Sequence, residues 1–206
     1  MAAPRRPQEA SERELDYLAR AGIPLIDDDV VRAECMRVAR RIAASGRRSL
    51  GLVPLNETAA VAPIAIQLGV ALMDLSGATI AYVDANTRWP ALPVDVQARL
   101  DSELADTPFA IRWLFHSLAL LVPRVAGGAG EAVPRLSLAI SEGVELFKYI
   151  LVDLTGFDVL GERTAALTLL DGVIAIGHPR DTTERDVLAL RDEVNREQLL
   201  GALLVG

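Results

Sequence analysis

Apolar positions in this chain fall into short compact runs separated by longer periodic stretches, and the two kinds alternate from about residue 30 onward. Ser49–Val53, Thr79–Val83, Leu118–Val122, Tyr149–Val152, Val173–Ile176 and Leu199–Val205 are too short for helices and predominantly apolar. They predict buried strands. Between them, Asp27–Ser45, Ala59–Leu75, Leu136–Phe147, Ala165–Leu170 and Thr182–Arg196 predict helices. The first of these has acids at its start and arginines near its end, which suits the helix dipole. Residues 1–10 predict disorder. Ser11–Ala21 predicts a short helix with Ser11 as N-cap, ended by Gly22 and Pro24. Residues 87–110 predict a Pro-rich connection holding one helix, Val94–Leu104, and Gly127, Gly128 and Gly130 a loop. Short apolar strands alternating with helices predict an α/β fold: a three-layer, mostly parallel sheet with helices on both faces. The expected organisation is an N-terminal segment, 1–29, followed by one domain, 30–206.

In such a fold ligands sit at the carboxyl ends of the strands, so the residues just after each strand carry the functional reading. The first strand leads through a loop into an apolar helix containing Gln67-Leu68-Gly69-Val70-Ala71-Leu72. The second ends Tyr82-Val83-Asp84-Ala85-Asn86-Thr87-Arg88-Trp89-Pro90, and a later one reads Tyr149-Ile150-Leu151-Val152-Asp153-Leu154-Thr155-Gly156. Leu170–Ile176 and Gly201–Val205 complete the series. This order resembles the MinD/ParA-like deviant P-loop ATPases and, within them, the bacterial tyrosine kinases of capsule and exopolysaccharide systems. The resemblance covers about residues 30 to 205 at the level of pattern. It implies that Asp84 stands at the family's second acidic motif and Asp153 at its Walker B acid, the positions that serve magnesium and water. Asn86 stands where relatives carry a further acid. Glu34, Arg37 and Arg40 match the family's ExxRxxR motif on the N-terminal helix, which implies a subunit interface; their spacing places them along one helix side.

The other half of the site is altered. A phosphate-binding loop needs glycines that let backbone amides approach the phosphates, a lysine for the β/γ oxygens, and a hydroxyl for magnesium. Pro54–Pro63 holds no glycine, and no basic residue occurs from Ser49 to Thr87. The family's lysine position falls at or near Val61 and its hydroxyl position on Ala62. Glu57 adds a like charge, worth about 4 kcal/mol of repulsion at about 4 Å and an effective dielectric near 20. Of the 21 basic residues only Lys148 is a lysine, and it precedes its strand, at the end opposite the ligand edge. The expectation is therefore no cofactor, with ATP and magnesium as the alternative. Asp84 and Asp153 are read as a vestigial cofactor site, with no catalytic residue. The resemblance then implies an inactive structural or regulatory subunit of exopolysaccharide export. Such a subunit self-associates or docks on a membrane polysaccharide co-polymerase. A working nucleotide-dependent ATPase or kinase, or a ParA-like positioning factor, is the alternative.

Charge and composition narrow this further. The formal net charge is −7, which argues against nucleic-acid binding. The single cysteine, Cys35, excludes a disulfide within the chain and suggests a reducing compartment. The longest apolar stretch, Thr58–Val83, is interrupted by Pro63, Gln67, Gly69, Asp74 and Gly77 and is not expected to span a membrane. No apolar stretch follows the basic N-terminal residues as in a secretory signal. A cytoplasmic protein, recruited to the inner membrane by a partner, is expected. His116 and His178 are isolated and predict no metal site. Tyr82 and Tyr149 fall within strands, and no tyrosine cluster follows the last one, so tail phosphorylation is not expected.

Overall fold

A computed structural model describes residues 18–19, 29–57, 59–85, 109–124 and 130–205. In chain order the elements are α1 (Asp29–Ser45), β1 (Ser49–Pro54), α2 (Val61–Ser76), β2 (Ile80–Asp84), β3 (Phe109–Leu114), β4 (Leu118–Pro123), α3 (Ala132–Leu146), β5 (Tyr149–Asp153), α4 (Arg163–Leu167), β6 (Gly172–Gly177), α5 (Glu184–Glu193) and β7 (Leu199–Leu204). The seven strands form one sheet in the order β3-β4-β2-β5-β1-β6-β7. All neighbours are parallel except β3 and β4.

Alternation along the strands divides the core into two layers. Leu50, Leu52, Ile80, Tyr82, Leu120, Leu151 and Ile174 face Cys35, Ala39 and Ile42 of α1 and Ile64, Leu68 and Leu72 of α2. Val53, Ala81, Val83, Ile150, Val152, Val173 and Ala175 face Leu136 and Ala139 of α3, Ala166 and Leu167 of α4 and Leu190 of α5. The predicted three-layer α/β sheet is the observed one. Leu18 is helical and fully buried among the first set. The rest of the expected Ser11–Ala21 helix lies outside the described residues apart from Ala19, as do the Val94–Leu104 helix and most of the Gly127–Gly130 loop.

The main departure from expectation is β3. Phe109–Leu114 pairs antiparallel with β4, from Phe109 opposite Pro123 to Leu114 opposite Leu118. The hairpin turn is closed by Ser117 N–H donating to Leu114 O at 3.2 Å. It places Phe115 and His116 at φ of 50° and 64°, a geometry that glycine and asparagine adopt more readily. The strand's start abuts a Pro-rich stretch, and its Arg112 and Trp113 obscure a buried-strand pattern. Helix limits shift by small amounts for local reasons. α3 starts at Ala132, before the expected Leu136, with Pro134 in its first turn where a missing N–H does no harm. α5 starts at Glu184 because Thr183 is its N-cap: the Thr183 and Asp186 side chains bond each other's backbone N–H in a capping box.

The edge of the sheet opposite the ligand side is tied by side chains. Asp171 Oδ2 accepts from Arg48 N–H at 3.0 Å and from Ser49 N–H at 2.9 Å. The Arg47 guanidinium donates to the carbonyls of Asp171 and Glu197, and that of Arg48 to those of Val144 and Phe147. β1, α3, β6 and the segment before β7 are thus joined at one end of the sheet, the end opposite the C-terminal strand ends.

Candidate functional site

β2 and β5 are adjacent and in register, so Asp84 lies directly opposite Asp153 at the C-terminal ends of the two strands. Asp84 is 1% exposed and Asp153 2%. Two carboxylates side by side in a dry position require strong local donors. For Asp153 these are identifiable. Tyr82, two residues before Asp84 and on the same sheet face, donates its hydroxyl to Asp153 Oδ2 at 2.9 Å. Thr155 N–H donates to Oδ1 at 2.8 Å. Burial pushes the Asp153 carboxyl above the usual carboxylate range, and the bonds from Thr155 and Tyr82 pull it only part of the way back. The Tyr82 phenol, fully buried, is held well above 10 by burial first and then by the charges of Asp153 and Asp84. Tyr82 therefore stays protonated and acts as a fixed donor. The structure places Asp84 and Asp153 side by side. Sequence reading passed over Tyr82, whose signal was its same-face position two residues before an acid. Asn86 lies outside the described residues.

In the segment joining β1 to α2, the described residues commit three donors within the chain. Leu55 N–H donates to Ile176 O at 2.8 Å, and Ala59 N–H to Asn56 O at 3.3 Å. The Asn56 amide donates to Thr182 Oγ1 at 2.9 Å. α2 begins at Val61, later than the expected Ala59, and its N-cap Ala60 supplies no side-chain bond. A helix N-terminus attracts anions through its free N–H groups. Here Pro63 carries none, and the adjoining Val61 and Ala62 are 2% and 6% exposed. Glu57 is exposed in this loop. This donor set does not fit a nucleoside triphosphate with magnesium: it has no glycine and no cation, Pro63 has no N–H, and the Leu55 and Ala59 N–H groups are bonded within the chain. Lys148 is remote as expected, its N–H donating to Thr79 O before β5 begins. The N-terminus of α3 is filled from within, since Glu162 accepts from Gly130 N–H at 2.6 Å and from Val133 N–H at 2.9 Å.

Glu34, Arg37 and Arg40 are all exposed on α1. The Arg37 guanidinium holds the Glu34 carboxylate at 2.7 Å. Cys35, between them, is buried, and burial with the nearby Glu34 charge pushes its thiol up to about 11, so it is not a nucleophile at neutral pH. Among the described residues no three His, Cys, Asp or Glu side chains group as metal ligands, and no helix is long and apolar enough to cross a membrane.

No protein-family model and no curated protein matches the sequence. Solved structures do match. The kinase domain of the Escherichia coli tyrosine kinase Etk superposes with a TM-score of 0.66 at 13% identity, covering 92% of this chain and 79% of that one. The BceF tyrosine kinase domain gives 0.64 at 15% identity, covering 95% and 89%. The VpsO kinase domain gives 0.62 at 13% identity, covering 92% and 97%. The chain therefore has the fold of bacterial tyrosine kinase domains, the P-loop-type α/β architecture that its strand ends resemble.

Proposed function

We propose that this chain is a catalytically inactive relative of the bacterial tyrosine kinase domains, acting as a structural or regulatory subunit of exopolysaccharide biosynthesis or export. The observation that carries this reading is the β1–α2 segment, where Pro63, the uncapped Ala60 and Glu57 stand in place of a phosphate cradle. The buried Tyr82–Asp153 bond supports it from the other side of the site, because with the Thr155 N–H bond it occupies acceptor positions on Asp153 that would otherwise face a magnesium ion or its waters. With nucleotide chemistry absent, the chain works through its surface. Glu34, Arg37 and Arg40 join copies of the chain or seat it on a membrane polysaccharide co-polymerase. The protein is then cytoplasmic and held at the inner membrane by that partner.

The first test is thermal unfolding with millimolar ATP and magnesium. A ligand at about 100 times its Kd stabilises by about 2.7 kcal/mol, a readily visible rise. The reading expects no magnesium-dependent change. A clear rise supports the second reading, in which Asp84 and Asp153 hold magnesium for a working ATPase or kinase.

A further inference from the structure

β7 is an edge strand that, among the described residues, pairs only with β6. Val205 N–H donates to Gly177 O. By the two-residue alternation of strand backbone, Leu203 also faces β6, while the N–H and C=O of Ala202 and Leu204 face outward. Ala202 is exposed and Leu204 is 50% exposed. Edge strands with open, apolar outer positions are templates for a further strand. The first half of β7 is protected by a bulge where the register with β6 shifts, and Gly201 there has a φ of 148°. The open stretch is therefore Ala202–Leu204.

Beside that stretch runs a groove between α1 and β7. Its floor is apolar, with Val38, Ile42, Ile174 and Leu203, and its rim carries Arg37 and Arg41. The Arg41 guanidinium lies 3.8 Å from the place a Cβ would take on Gly201, so it overhangs the strand edge. Arg41 and the neighbouring Arg40 form no ion pair among the described residues. In a chain of net charge −7, a cation beside this strand edge with no acid paired to it among the described residues, Arg41, runs against the trend of the whole surface. Its natural complement is a carboxylate.

We propose that this groove docks an extended, carboxylate-bearing segment of another protein as a strand added to β7, its backbone paired with Ala202 and Leu204 and its acids held by Arg41. This is strand addition, in which main-chain bonds give affinity and flanking side chains give specificity. A nucleic acid fits less well, because it offers no matching backbone and the chain is acidic overall. The inference goes beyond the loss of nucleotide chemistry and does not depend on it.

The test uses the whole chain and a fluorescent octapeptide of alternating valine and glutamate, read by anisotropy. Saturable binding is expected, with none for the valine–lysine counterpart or for a thymidine oligonucleotide. Arg41→Glu should weaken binding about tenfold. Ala202→Pro, which removes an outward N–H that the sheet does not use, should weaken it by a similar factor with little change in melting temperature. If Arg41→Glu fails to fold, Arg41→Ala carries the charge comparison. No binding at millimolar peptide, equal affinity in both variants, or binding of the oligonucleotide in place of the peptide overturns the proposal.

Discussion

Replacing Tyr82 with phenylalanine removes one hydroxyl and leaves the ring, so its effect isolates the bond to Asp153. Both residues are buried, at 0% and 2% exposure, and no solvent can take the hydroxyl's place. A hydrogen bond to a charged group contributes about 1.5–3 kcal/mol, and deleting the hydroxyl returns part of its own burial penalty. The net loss should be about 1–2 kcal/mol where Asp153 is charged. The pH dependence has a definite sign. The Asp153 carboxyl is raised above 3.8 in the folded state, so its contribution is fully present below 3.8 and is lost as pH rises through the folded value. Tyr82 is one of the groups that lower that folded value, so Tyr82→Phe raises it further. The mutational loss is therefore largest on the alkaline side of the folded value, where Asp153 is charged, and shrinks on the acid side, where both proteins hold it protonated. Urea unfolding of the parent and Tyr82→Phe chains, followed as pH rises from about 4, measures this directly. A loss below about 0.5 kcal/mol throughout, or one that does not grow with pH, would refute the assignment of the hydroxyl to a buried carboxylate.

Three further outcomes are expected. At Asp171, burial raises the carboxyl, but bonds from Ser49 and Arg48 and the Arg47 charge outweigh it and leave it below 3.8, so Asp171→Asn should lose stability above that value. Because Asp171 is largely exposed, the loss should be about 1 kcal/mol and should vanish as pH falls through the folded value, followed by urea titration. His116→Gly should raise stability by about 1 kcal/mol, since the turn holds His116 at a φ of 64°; an unchanged unfolding midpoint would show that the turn is not strained. Arg37→Ala or Arg40→Ala should lower self-association and its resistance to salt; unchanged mass by light scattering at low concentration would remove these residues from the interface.

The strands that frame the site were legible because each is a short apolar run ending at a polar residue. Asp84 and Asp153 could be named from their positions at strand ends, but only the β2–β5 register shows that they oppose each other. Strand order is set by long-range pairing, which no local pattern encodes. Tyr82 does not stand out as a site residue in the sequence, because period-two burial looks the same whether a hydroxyl meets a carboxylate or a methyl group. β3 escaped because an edge strand with Arg112 and Trp113 lacks the apolar signature of the central strands. The defect in the phosphate loop was visible at once, since it consists of missing residue types. What the fold added is the position of Pro63 in the first turn of α2 and the commitment of Leu55 and Ala59 N–H groups to neighbouring carbonyls.

The central claim, that the β1–α2 segment no longer holds nucleotide, is tested most directly by isothermal titration of the purified chain with ATP and ADP, with and without magnesium. The account predicts no saturable heat at high protein concentration under any of these conditions. Saturable, magnesium-dependent binding that is lost in Asp84→Asn or Asp153→Asn would contradict it and make those two carboxylates the working half of a nucleotide site.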